Sequence, residues 1–143
     1  MKQILAALSV LVGLAGFAFA PAALAAGKTT MSHAVIQVSD GDPHKWNLAL
    51  NNVQNMQAAL GKDNIRIEIV AYGPGLGMLK ADSKVAPRIN AALDANVQLS
   101  ACGTTMRKMK VTKADLVGGV GVVPGGVIEI MKRQSEGWAY IRP

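Results

Sequence analysis

The chain has 143 residues, 15 Lys and Arg against 9 Asp and Glu for a formal net charge of +6, 4% aromatic residues and one cysteine, Cys102. A single cysteine excludes an internal disulfide. Scarce aromatics and the absence of any run of basic residues argue against nucleic acid as a partner, leaving a small anion or a plainly solvated cationic surface.

The chain opens with a charged tip at Lys2, an apolar run from Ile4 to Ala20 and the small-residue stretch Pro21-Ala22-Ala23-Leu24-Ala25-Ala26. That order is the pattern of a secretory signal peptide, with cleavage expected after Ala25, because Ala23 and Ala25 place small side chains where the peptidase reads them. The run is short for a spanning helix, rich in Ala and Gly and closed by Pro21, so no stable membrane anchor is expected. The reading is a cleaved signal over residues 1–25 and a single periplasmic domain over 26–143, long enough for its own core. In an oxidising compartment a lone thiol is open to oxidation and cross-linking, so Cys102 calls for an explanation.

Strand-like and helix-like segments then alternate, the pattern of an α/β domain with a mostly parallel sheet. A strand at Ala34–Val38 leads through Ser39-Asp40-Gly41-Asp42-Pro43, where Asp42 caps and Pro43 opens a helix. That helix carries Trp46, Ala49, Leu50, Val53, Met56 and Leu60 at helical spacing and ends at Gly61. Ile65–Ala71 alternates apolar and charged residues at first, as a strand near a sheet edge does. Tyr72 to Met78 reads as a loop, Lys84 to Ala95 as a helix, and Val97–Ala101 as a strand running directly into Cys102. Gly103 to Met109 reads as a short helix, and Leu116–Val123 as a glycine-studded strand. Pro124-Gly125-Gly126 turns into a helix with Val127, Ile130 and Met131, Gly137 ends it, and Trp138–Ile141 is a last short strand.

In such a sheet, ligands bind beyond the carboxyl ends of the strands. Four turns belong there: Ser39 to Pro43, Tyr72 to Met78, Ala101 to Thr105 and Val123 to Gly126. Gly73, Gly75 and Gly125 let backbone amides approach a small anion, although glycines also serve tight turns alone. Gly73-Pro74-Gly75-Leu76-Gly77 lacks the spacing of a dinucleotide fingerprint, and Pro74 removes an amide donor.

Cys102 stands where a strand ends and a helix begins, a place that stabilises a thiolate, with Arg107 and Lys108 adding positive field. Gly103, Thr104 and Thr105 are the candidates to orient it through amides and hydroxyls. The competing reading is a small buried hydrophobe. His44, in the first turn of a helix on the same rim, is a candidate proton donor beside the sulfur. His33, His44, Met78 and Met106 show no metal-ligand spacing, so neither a metal nor another cofactor is expected. The sequence offers no serine triad and no paired acids arranged for hydrolysis, Asp40 and Asp42 reading as turn and cap residues.

The first strand into Ser39-Asp40-Gly41, the strand into Tyr72-Gly73-Pro74-Gly75, the Ala101-Cys102-Gly103-Thr104-Thr105-Met106 turn, and Pro124-Gly125-Gly126-Val127 through Gly137-Trp138-Ala139-Tyr140-Ile141-Arg142-Pro143 together resemble the DsrE/DsrF-like family. The resemblance implies a three-layer α/β/α sandwich around a five-stranded parallel sheet, assembled as trimers or hexamers. In sulfur-relay members of that family a cysteine after the third strand carries sulfur as a persulfide, and Cys102 falls at that position. A sulfur donor or acceptor protein is then the implied partner. Those members are cytoplasmic, and their sequence after the cysteine differs from Gly103-Thr104-Thr105-Met106. Two functions follow as expectations: a periplasmic carrier in which Cys102 takes up and passes on sulfane sulfur, or a non-catalytic oligomeric module that binds a small anion, with Cys102 merely packed.

Overall fold

A computed structural model describes residues 30–143; the expected signal peptide lies outside the described residues. Strand β1 (Ser32–Val38) leads to helix α1 (Pro43–Leu60), β2 (Ile65–Ala71), α2 (Ala86–Asp94), β3 (Gln98–Cys102), α3 (Gly103–Met109), β4 (Gly121–Val123), α4 (Gly126–Ser135) and β5 (Ala139–Ile141). All five strands are parallel, in the order β4-β3-β2-β1-β5.

Local chemistry sets the boundaries. The Asp42 carboxylate accepts the His44 amide at 2.8 Å, Pro43 occupies the first turn of α1, and Gly61 leaves the helix at φ 86°. The stripe Trp46, Ala49, Leu50, Val53 is buried against the sheet, and the Trp46 indole N–H donates to the Asp40 carbonyl at 2.7 Å. Tyr72 to Met78 is more ordered than a loop, because Gly73–Leu79 winds as a 3-10 helix. Gly75 is required there, since a β-carbon would run into the Val38 carbonyl at the end of β1.

Two expectations are corrected. The segment Leu116–Val123 is a strand over Gly121–Val123 alone; Leu116 forms an isolated antiparallel bridge with Lys80, and Gly119, at φ 92°, breaks the extended run between them. Strand β2 is the middle strand of the sheet, not one near its edge. Its alternating charges mark something other than solvent: Glu68 is 0% exposed.

Chain order explains the layers. β1 to β4 are laid down in one direction, so right-handed crossovers put α1, α2 and α3 on one face; the jump from β4 back past β1 to β5 puts α4 on the other. The first face holds the large core, including Ile36, Ile69, Leu76, Ile89, Leu99 and Met106. Under α4 there is a small apolar cluster of Val35, Val70 and Ile130, worth about 1.5–3 kcal/mol for Ile130. Beside it Glu68, fully buried, pairs with the partly buried Arg133, and removing the guanidinium would leave a buried carboxylate without its counter-charge.

Candidate functional site: a thiol at the switch point of the sheet

Adjacent strands β3 and β4 send their following helices to opposite faces, α3 over the large core and α4 over the other side. Such a divergence opens a crevice at the carboxyl ends of the two strands. Cys102, the last residue of β3, lies at its floor and is paired in register with Val123 of β4. A cavity of about 280 Å³ opens there, lined by Cys102, Tyr72, Thr104, Thr105, Gly125, Gly126, Val127 and Ile128.

Cys102 is a free cysteine, 5% exposed. Burial pushes its thiol up, but hydrogen bonds outweigh burial and the net shift is downward: the Thr105 hydroxyl leads, followed by the backbone amides of Thr105, Gly126 and Thr104. The Gly126 amide donates to Sγ at 3.2 Å. Thr105 Oγ1 accepts the Gly73 amide at 2.9 Å, which occupies an oxygen lone pair and leaves the hydroxyl proton for the sulfur. Three elements, α3, α4 and the 3-10 helix after β2, thus converge on one thiol. Donors aimed at a thiolate favour the nucleophilic form and also make the sulfur a better leaving group.

The other candidates from the sequence are placed as follows. Gly103 allows close backbone approach, since a β-carbon there would lie 3.1 Å from the Val123 carbonyl. Thr104 gives its hydroxyl to the Pro124 carbonyl at 3.1 Å, tying α3 to the turn after β4. Arg107 donates to Thr104 Oγ1 at 3.1 Å and is not among the residues lining the cavity. Gly73 acts through Thr105, Gly125 lines the cavity, and Gly75 packs on the end of β1. His44 is exposed at the start of α1 and does not line the cavity. His33 lies within β1 and packs against Trp138, with ring centroids 5.1 Å apart. Among the described residues no cluster of His, Cys, Asp and Glu is arranged to hold a metal, and no helix is long and apolar enough to cross a membrane.

Tyr72 and Gly126, from two of the four rim turns, and Val127 and Ile128, from the first turn of α4, complete the site. Gly126 was visible as half of a glycine pair, but only the helix start at Gly126 decides which of the two amides faces the sulfur. A larger groove of about 380 Å³ between α1 and α2, lined in part by Leu50, Val53, Lys62, Arg88 and Ala91, has no cysteine, hydroxyl, imidazole or carboxyl group among the described residues that line it. Arg88 there is held by the amide oxygens of Asn47, Asn51 and Gln54 as a clamp between the helices.

The model of the DsrE/DsrF-like family matches residues 15–143. Among solved structures, the protein of unknown function MTH1491 from Methanobacterium thermoautotrophicum is 38% identical, with a TM-score of 0.75 over 78% of this chain and 99% of that one. The ychN protein of E. coli is 10% identical, with a TM-score of 0.65 over 80% of this chain and 100% of its own. The protein of unknown function BT1422 from Bacteroides thetaiotaomicron is 17% identical, with a TM-score of 0.59 over 78% and 95%. The last two share the fold alone. No curated protein matches the chain.

Proposed function

Because the chain belongs to the DsrE/DsrF-like family, which is associated with sulfur relay in general, we propose that it is a periplasmic sulfane-sulfur carrier whose working group is Cys102. The observation that carries this reading is a thiol with a lowered pKa facing an open cavity at the switch point of the sheet. A cysteine that serves only as a buried hydrophobe has no need of a backbone amide aimed at its sulfur, whereas the Gly126 amide donates to Sγ at 3.2 Å.

The transfer is an exchange that needs no external oxidant. The Cys102 thiolate supplies an electron pair to the outer sulfur of a donor persulfide, R–S–SH. The bond between the donor's two sulfurs breaks, R–S⁻ leaves with that pair, and Cys102 becomes a persulfide. An acceptor thiolate then attacks the outer sulfur of the Cys102 persulfide, and Cys102 leaves as a thiolate stabilised by the Gly126 amide and the Thr105 hydroxyl. The exposed apolar side chains Val127 and Ile128 at the cavity mouth suit contact with a donor or acceptor protein, or with further copies of this chain in a trimer or hexamer.

Intact mass of protein isolated from its own compartment without reductant is the direct test. We expect a population one sulfur atom heavier, lost on treatment with reductant and absent from Cys102→Ser. A chain that never gains that mass after polysulfide treatment overturns the carrier reading. In that case retention of a small anion by Cys102→Ser, read as a thermal shift, supports the binding-module alternative.

A further inference from the structure

Arg133 lies two helical turns beyond Gly126, so the two residues share one face of α4 with Ile130 between them. All three meet the sheet: Gly126 at Cys102, Ile130 in the cluster with Val35 and Val70, and Arg133 at Glu68. Ile130 is buried, whereas the helix's other large apolar side chains, Val127, Ile128 and Met131, remain 51%, 66% and 61% exposed. A helix seated by so few apolar contacts takes its position from its polar ones.

Glu68 provides that fixed point. It sits on the middle strand, and its Oε1 accepts the Ser100 hydroxyl at 2.5 Å and the Gln98 amide at 3.2 Å, leaving Oε2 for Arg133 Nε. Both oxygens are committed, so the carboxylate is held in one orientation. The Arg133 fork is steadied in turn by Glu129 at 3.1 Å and Glu136 at 3.1 Å, with its guanidinium carbon 4.6 Å from the Trp138 ring centroid. A buried ion pair adds little net stability over an apolar pair of similar volume, and registry is the best attested use of such groups.

We infer that Glu68 and Arg133 are positioning residues for Cys102, setting the place of α4 over the sheet so that the Gly126 amide stays against the sulfur. This inference rests on the reading of Cys102 as a working thiolate. Competing electrostatic control of the sulfur is limited. Among the described residues no charged side chain lines its cavity and Tyr72 is the other titratable group there, while the flanking charges Arg107 and Glu129 are engaged with Thr104 and Arg133.

The test is the pH dependence of Cys102 alkylation by iodoacetamide in the purified wild type, Arg133→Ala and Arg133→Lys, together with the amide proton NMR shift of Gly126. In the wild type the alkylation midpoint lies below that of a free thiol, and the Gly126 resonance moves as Cys102 titrates. Arg133→Ala, shown to be folded by circular dichroism, raises the midpoint, slows alkylation at neutral pH about fivefold, as expected for one lost neutral hydrogen bond, and uncouples the Gly126 resonance. The midpoint is the deciding quantity because it does not depend on how freely the reagent enters. Arg133→Lys keeps the charge but not the fork; it falls between the two and supplies the readout if the alanine variant does not fold. A midpoint at or below the wild-type value in a folded variant, or a Gly126 resonance that still follows Cys102, overturns the inference and leaves the carrier reading standing. A wild-type midpoint at or above that of a free thiol removes the thiolate on which both rest.

Discussion

The backbone amide of Gly126 and the sulfur of Cys102 lie 3.2 Å apart, joined by a hydrogen bond that links the end of β3 to the start of α4. The contact exists because residue 126 has no side chain. A β-carbon there would stand 3.0 Å from Tyr72 Cβ, 3.1 Å from Tyr72 Cδ1 and 3.3 Å from Cys102 Cβ. The start of the helix therefore approaches the strand end more closely than any other residue would allow.

Gly126→Ala is accordingly expected to push the first turn of α4 away from the sheet. Overpacking of this kind costs about 1–3 kcal/mol, measurable by urea denaturation. The same variant weakens the donor to the sulfur, so the pH midpoint of Cys102 alkylation rises. A variant of wild-type stability and unchanged midpoint would show that α4 does not hold the thiol.

Thr105 acts through its hydroxyl, which separates valine from serine at this position. Thr105→Val leaves the Gly73 amide without its acceptor and removes the hydroxyl hydrogen bond to Cys102. Alkylation at neutral pH should slow about fivefold and stability fall by about 1 kcal/mol, the ordinary worth of a neutral hydrogen bond. Thr105→Ser keeps the hydroxyl and should restore the rate. Equal rates for the two variants would argue against a hydroxyl role.

Element order, the cap at Asp42 and the placement of Cys102 at a strand end were legible in the sequence because each depends on local patterning. What escaped was non-local. Arg66 and Glu68 alternate with isoleucines as they would on a solvated edge, yet Arg66 is exposed and Glu68 is buried. The difference comes from Arg133, 65 positions further on, and no periodicity within β2 contains that information. Likewise Gly73 and Thr105, 32 positions apart, meet only because β2 and β3 are neighbours. His44 shows the same limit from the other side: it stands on the rim at the start of α1 without lining the cavity, because sharing a rim does not bring a side chain into a particular cavity.

The glycines, alike in sequence, should respond differently to alanine. Gly75→Ala drives a β-carbon into the Val38 carbonyl at the end of β1, a backbone group that cannot swing aside as the far end of a flexible side chain does. The expected loss is about 3 kcal/mol or more. At Gly125 the nearest atom to an added β-carbon is Ile128 Cγ1 at 3.5 Å, an ordinary contact. Gly125→Ala should cost only the cap preference, within about 1 kcal/mol. Thermal melts of the two variants side by side give the comparison, and equal losses would contradict it.

Stability should depend on pH through Cys102 itself. The folded thiol titrates below its ordinary value of 9.0, because the Thr105 hydroxyl and the amides of Thr105, Gly126 and Thr104 together outweigh the effect of burial. Between the folded pKa and 9.0 the unfolded chain binds more protons than the folded one, so stability rises with pH across that window. The contribution is complete above 9.0 and is lost as pH falls through the folded pKa. Cys102→Ala has no such group, and its loss of packing does not change with pH. Measured by urea denaturation under reducing conditions, the stability gap between wild type and Cys102→Ala should therefore widen from neutral pH towards 9.0 and then level off. A gap that narrows over that range would mean that burial dominates and that the sulfur rests as a neutral thiol.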